Sequence, residues 1–141
     1  MKKALRCSLI LLTLILLSSC SNNLTNRSDI VALFQNYEDA FIEASTSGNF
    51  SKLEAVPGVQ KVLTFDEYID IQCGGSGLGS STSYYGIFYS ETDDLCAVDV
   101  AGPHEELVSD GDGFHYEQSD GDNEYYVEPL GNHFFYYEAH F

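Results

Sequence analysis

Residues 62–141 contain no lysine or arginine, yet they hold 17 acidic side chains and 15 Phe or Tyr. Carboxylates in such a run have no neighbouring cations to pair with, so they must spread over a surface and face water. The aromatics must then supply the core while alternating with polar residues. That pattern suits strands, whose side chains point to opposite faces, separated by Asp, Gly and Asn turns. Over all 141 residues there are 22 acidic and 6 basic side chains, a net charge of −16. This excludes nucleic acid as a natural partner, because phosphate binding needs clustered Lys and Arg. Charge-driven binding to anionic lipid headgroups is excluded for the same reason. The length allows one domain, and 44% apolar residues are enough to bury a core.

At the start of the chain, Lys2, Lys3 and Arg6 precede an apolar run at 8–17 that is interrupted by Thr13. The run is too short to span a bilayer, which takes about 20 residues. A basic start followed by a short apolar run is the pattern of a secretory signal. Leu17-Ser18-Ser19-Cys20 then resembles the lipobox of bacterial lipoproteins. The resemblance implies cleavage before Cys20, a diacylglycerol on its sulfur, and a domain held outside the cytoplasm at a bacterial membrane or envelope. More than one acyl chain gives stable retention. The chain thus divides into a signal peptide at 1–19, a lipidated polar tether at 20–28 and a single domain at 29–141. Losing the signal removes three of the six basic residues. An exported surface this acidic serves solubility or meets a cationic partner.

Cysteine usage fits export. Cys7 leaves with the signal and Cys20 takes lipid, so Cys73 and Cys96 remain. Two cysteines in an exported domain most simply form a disulfide, which stabilises by roughly 3 kcal/mol on the chain-entropy model. A redox pair would sit closer, as Cys-x-x-Cys, and two free thiols are the other alternative.

Ile30, Leu33, Phe34, Tyr37, Phe41 and Ala44 recur at helical spacing, opposite Asp29, Gln35, Glu38, Asp39 and Glu43. This predicts one amphipathic helix, N-capped by Ser28 and ending before Gly48. Ser51-Lys52-Leu53-Glu54 has capping-box spacing, so a short second helix runs to Val56 before Pro57-Gly58 stops it. Beyond Val59 the period falls to two. Ile69, Ile71 and Cys73 alternate with Tyr68, Asp70 and Gln72, although Thr64-Phe65-Asp66-Glu67 could also open a helix. Residues 74–81 read as a glycine-rich loop without the Gly-x-Gly-x-x-Gly of a nucleotide site. Residues 84–90 and 95–101 read as a hairpin about Glu91-Thr92-Asp93-Asp94. Ser109-Asp110-Gly111-Asp112-Gly113 and Ser119-Asp120-Gly121-Asp122-Asn123 are turns ten residues apart, each followed by an aromatic alternating run. They predict a three-strand meander whose inward face carries Phe135, Tyr137, Ala139 and Phe141, with Phe134, Tyr136, Glu138 and His140 outward. The fold class is α+β: a helix, with or without the short second one, packed on an antiparallel sheet of five or six strands.

Candidate sites follow from chemistry. Asp110, Asp112, Asp120 and Asp122 offer the oxygens that calcium prefers, and calcium is the one cofactor the sequence leaves open. Neither turn is an EF-hand loop. Counting from Asp110 puts His115 where glycine is needed and Gly121 where the bidentate Glu belongs. Turns at opposite ends of one strand also make a poor shared site. His104-Glu105-Glu106 begins like a zinc-protease motif, but Val108 stands where the second His must be. His104, His115, His133 and His140 are too scattered to define a zinc site. Tyr85, Tyr89, Tyr126, Phe134 and Tyr136 form either an exposed binding face or the surface on which the helix packs.

The helix, Gly48-Asn49-Phe50, Lys52-Leu53-Glu54 and the long sheet together resemble the cone-shaped fold of nuclear transport factors and ketosteroid isomerases. That resemblance implies a small-ligand pocket between helix and sheet, with none of the family's catalytic positions placed. The aromatic C-terminal end also resembles small uncharacterised lipoproteins of Gram-positive bacteria. The expected function is a lipid-anchored, extracytoplasmic, non-catalytic binding or accessory module for a cationic protein or a glycan. The alternatives are a small-ligand carrier and a hydrolase using two carboxylates.

Overall fold

The computed structural model describes residues 23–78, 81–98 and 102–141. The signal segment and Cys20 lie outside them. Among the described residues, the main helices precede one seven-stranded antiparallel sheet, larger than the sequence suggests.

Helix α1 (Arg27–Asn36) is capped by Asn26, whose side chain accepts the Asp29 N–H at 3.0 Å. The cap is therefore two residues earlier than expected. Ser28 instead donates its hydroxyl to the Asn26 side chain, at 2.8 Å. The single predicted helix is in fact two, because Tyr37 leaves helical geometry at φ −120°, ψ 19° before α2 (Glu38–Ser47) begins. The break lets both Phe34 and Phe41 reach one strand residue, Phe134, with ring centroids 5.5 and 5.4 Å away. Gly48 ends α2 in the left-handed region at φ 69°, which glycine adopts at little cost. The short second helix is a 3-10 helix, Phe50–Ala55.

The strands are β1 (Lys61–Thr64), β2 (Ile69–Leu78), β3 (Ser81–Tyr89), β4 (Val108–Asp110), β5 (Gly113–Glu117), β6 (Glu124–Gly131) and β7 (Phe134–His140). Their order across the sheet is β1-β2-β3-β7-β6-β5-β4. The expected meander is present as β5-β6-β7. Two predicted segments differ. Gly74–Leu78 is strand rather than loop, paired with residues 81–85 of β3. Its glycines admit another chain segment: the Leu24 N–H donates to the Cys73 carbonyl at 3.0 Å, and Asn23 bonds both the N–H and the carbonyl of Gly75. A Cβ on Gly74 would lie 1.8 Å from the Leu24 carbonyl oxygen. The polar tether therefore joins the fold by Asn23, ahead of the boundary at residue 29.

The second difference is 95–101, expected as a strand. Residues 95–98 form no strand, and 99–101 lie outside the described residues. Ser90 Oγ accepts the Asp94 N–H at 3.1 Å, and Asp93 has a positive φ of 57°, so the chain turns off the sheet instead of folding back as a hairpin. It then crosses the sheet face, where Tyr125 donates its hydroxyl to the Leu95 carbonyl at 3.0 Å and Ala97 and Val98 are buried.

Each sheet face consequently carries a packed core. Ile30, Leu33, Phe34, Phe41 and Ala44 pack with Ile71, Cys73, Ile87, Phe134 and Tyr136 on the helix side. Tyr68, Phe88, Tyr125, Val127, Phe135, Tyr137 and Ala139 pack under Ala97 and Val98 on the other. The helices thus lie over Phe134 and Tyr136, the set expected to face outward. The space that the transport-factor resemblance implies between helix and sheet is filled by these rings. The expected Cys73–Cys96 disulfide is absent, and both thiols are free. Cys73 points into the helix-side core, while Cys96 belongs to the segment over the opposite face, so the sheet stands between two side chains that a disulfide must bring together.

Candidate functional site

Past the start of α1, the helix-side face of the sheet is uncovered and polar. His115 of β5 stands opposite Tyr126 of β6, which stands opposite Glu138 of β7; Glu124 and His140 form the next row. Alternation puts all five on one face. Together with Arg27 and the β4–β5 turn at Asp110, Gly111 and Asp112, they line a groove of about 450 Å³. The local reason is simple. The apolar stripe of α1 begins at Ile30, and Arg27, at the helix start, meets the groove with a charged side chain.

Arg27 organises the groove's edge. Its Nε and Nη2 donate to the two Glu128 oxygens at 2.5 and 2.7 Å, and Nη2 lies 3.3 Å from Asp112. Glu128 holds the guanidinium even more firmly protonated than usual. Tyr126 donates to Glu128 at 3.2 Å, and burial followed by the Glu128 charge pushes its phenol up. Tyr136 donates to Glu138 at 2.5 Å, and the other Glu138 oxygen lies 3.6 Å from His140 Nε2. The single arginine is already committed to two carboxylates. Asp110, Glu124 and Glu138 remain to meet a cation.

A second hollow, of about 370 Å³, opens on the opposite face between Phe65, Tyr68, Tyr84, Tyr137 and Phe141, with Asp70 in its lining. Asp70 is buried. It accepts the Tyr137 hydroxyl at 2.7 Å and the Gln72 amide at 2.9 Å. Burial holds its carboxyl above the ordinary 3.8, against those two bonds and the Lys61 charge. By sequence, Asp70 shares its strand face with Tyr68 and Gln72. Its signal was the alternation Ile69-Asp70-Ile71, which marks Asp70 for the opposite face from Ile71 without saying that this face is covered too. Among the described residues, Asp70 is the one acidic side chain in this lining.

The predicted calcium ligands do not converge. Asp110 and Asp112 flank the β4–β5 turn, and Asp120 and Asp122 lie in the β5–β6 turn. The two turns sit at opposite ends of β5, roughly 14 Å apart at strand rise. Arg27 already occupies Asp112. The aromatic set does share one face, as the spacing implies, but Phe134 and Tyr136 are fully buried core. Tyr85, Tyr89 and Tyr126 pack partly buried against it. Among the described residues, the group of His, Cys, Asp or Glu close enough to share a metal ion is Asp94, Cys96 and His104. No described helix is long and apolar enough to cross a membrane.

No protein-family model, no curated protein and no solved structure matches this chain.

Proposed function

We propose that the chain is a lipid-anchored, extracytoplasmic binding module without catalysis, and that it holds a cationic segment of a partner protein in the groove beside Arg27. The observation that carries this is the groove's lining: Asp110, Asp112, Glu124 and Glu138, with one arginine that Glu128 already neutralises. Acidic walls with tyrosines between them favour Lys and Arg side chains through charge and through ring faces. The anchor fits this role. Asn23 is bonded to β2, so Ser21 and Asn22 alone separate it from Cys20, a reach of at most roughly 11 Å. The domain is therefore presented close to the membrane, not on a long stalk. A hydrolase reading has less support, because Asp70, the carboxyl raised by burial, bonds Tyr137 and Gln72 and, among the described residues, has no second acidic side chain in its hollow.

Calorimetric titration of the full chain with a lysine-rich peptide tests the groove. Binding is expected, and replacing Glu124 and Glu138 together by Gln should weaken it about tenfold, or 1.4 kcal/mol. An unchanged affinity in that variant refutes the groove. The anchor is tested separately: Cys20→Ala should move the chain from membrane to soluble fractions, and continued lipid labelling of the variant refutes it.

The second reading, a small-ligand carrier, draws on the Asp70 hollow. Aromatic walls with an acid in the lining suit a compact amine. It predicts protection against thermal unfolding by a quaternary ammonium probe, lost in Tyr84→Ala.

A further inference from the structure

We propose that Asp94, Cys96 and His104 form a site for a zinc-type divalent transition metal ion. Their ligand atoms lie within 4.8 Å of one another. Asp94 Oδ1 is the hub: it accepts the Cys96 N–H at 2.8 Å and lies 2.7 Å from His104 Nε2. Small rotations about these side chains bring sulfur, nitrogen and oxygen to the roughly 2.0–2.3 Å bonds of a tetrahedral ion.

Three observations support a built site. The first limb, residues 94–96, is fixed by the Asp94 N–H to Ser90 Oγ at 3.1 Å and by the Tyr125 hydroxyl on the Leu95 carbonyl at 3.0 Å. The second limb enters through Gly102, packed so closely on Tyr116 that a Cβ would lie 2.3 Å from the ring. His104 then opens the 3-10 turn His104–Glu106 behind Pro103. Each limb is thus tied to the sheet independently, and both meet at the ligand atoms. Asp94 and Cys96 are half-buried while His104 is exposed, which leaves the ion an approach from solvent and a fourth position for water.

The donor set selects the metal. Calcium and magnesium take oxygen ligands, whereas a thiol with an imidazole suits zinc, or cobalt as its spectroscopic substitute. On binding, Cys96 loses its thiol proton to the buffer, and the proton that His104 Nε2 donates to Asp94 leaves that nitrogen for solvent, so that its lone pair meets the ion. The bound ion would clasp the segment that covers the second sheet face.

The probe is Co²⁺ added to the purified full chain with reductant present. A sulfur-to-cobalt charge-transfer band should appear, saturate at one equivalent, and vanish when Zn²⁺ is added. Cys96→Ser should abolish the band, and His104→Gln should weaken binding about tenfold or more. Cys73→Ala should keep the band, because that thiol is on the other face. Melting each variant without metal checks that it is folded. No band with the wild-type chain, or a band that survives Cys96→Ser, overturns the site.

Discussion

Removing Arg27 should cost stability and sharpen the groove's preference for cations at the same time. Arg27 makes two bonds to Glu128, at 2.5 and 2.7 Å. The Glu128 side chain is 9% exposed and that of Arg27 is 42% exposed. Losing one partner of a fully buried pair costs about 3–5 kcal/mol, and an exposed pair contributes about 0–1 kcal/mol. This pair lies between: solvent screens the arginine end, while the carboxylate end is left buried with its one bond from Tyr126. Arg27→Ala should therefore cost about 2 kcal/mol near neutral pH, the range of hydrogen bonds to a charged group. Adding Glu128→Gln removes the stranded charge, so the double variant should be less destabilised than the sum of the singles by about 1 kcal/mol. Urea denaturation of the full chain reads this as a midpoint change at constant slope. Meanwhile Arg27→Ala should bind a lysine-rich peptide more tightly than wild type, because the one cation of the groove is gone. A cost under about 0.5 kcal/mol, or additive singles, would refute the electrostatic reasoning.

Phe134→Ala should destabilise by about 3–5 kcal/mol in the same assay, since Phe134 is fully buried against Phe34 and Phe41. A cost below about 1 kcal/mol would mean the helices do not pack there. Asp70 has a folded value above its ordinary 3.8, so the native state binds the extra proton and this residue's contribution falls as pH rises from near 4 through the folded value. Asp70→Asn should remove that loss, so its stability relative to wild type rises with pH across that window. A flat difference would place Asp70 in water. Thiol alkylation without reductant should label Cys96 in the native chain and Cys73 only on unfolding, because burial pushes Cys73 up to about 12. A pair that alkylates only after reduction would restore the disulfide.

The alternation in residues 124–128 and 134–140 was enough to place β6 and β7, because period-two runs between Asp-Gly turns have few other solutions. It could not say which face was inside. Both faces are, and that depends on residues 95–98 leaving the sheet to cover Phe88, Phe135 and Tyr137, a long-range packing event with no local mark. Tyr37 fitted the helical stripe so well that the break there was hidden. The glycines at 74–77 looked like a loop because the Leu24 segment that needs them is 50 residues away in sequence. Of the groove, the sequence points to Asp110, Asp112 and Tyr126, for calcium and for an aromatic face. Gathering their neighbours Glu124, Glu138, His115 and His140 with them needs the β5-β6-β7 register. Arg27 lay inside what looked like a tether. The sequence offers Cys96 for a disulfide and His104 as one of four scattered histidines, and only the covering segment brings the two together.

The most direct test of the central claim is backbone amide mapping by NMR as a lysine-rich peptide is added to the full chain. Shifts concentrated at residues 110–115, 124–128 and 138–140, and fading as salt rises, are the predicted result. Shifts spread evenly over the acidic surface, or centred on 65–70 and 84, would contradict it.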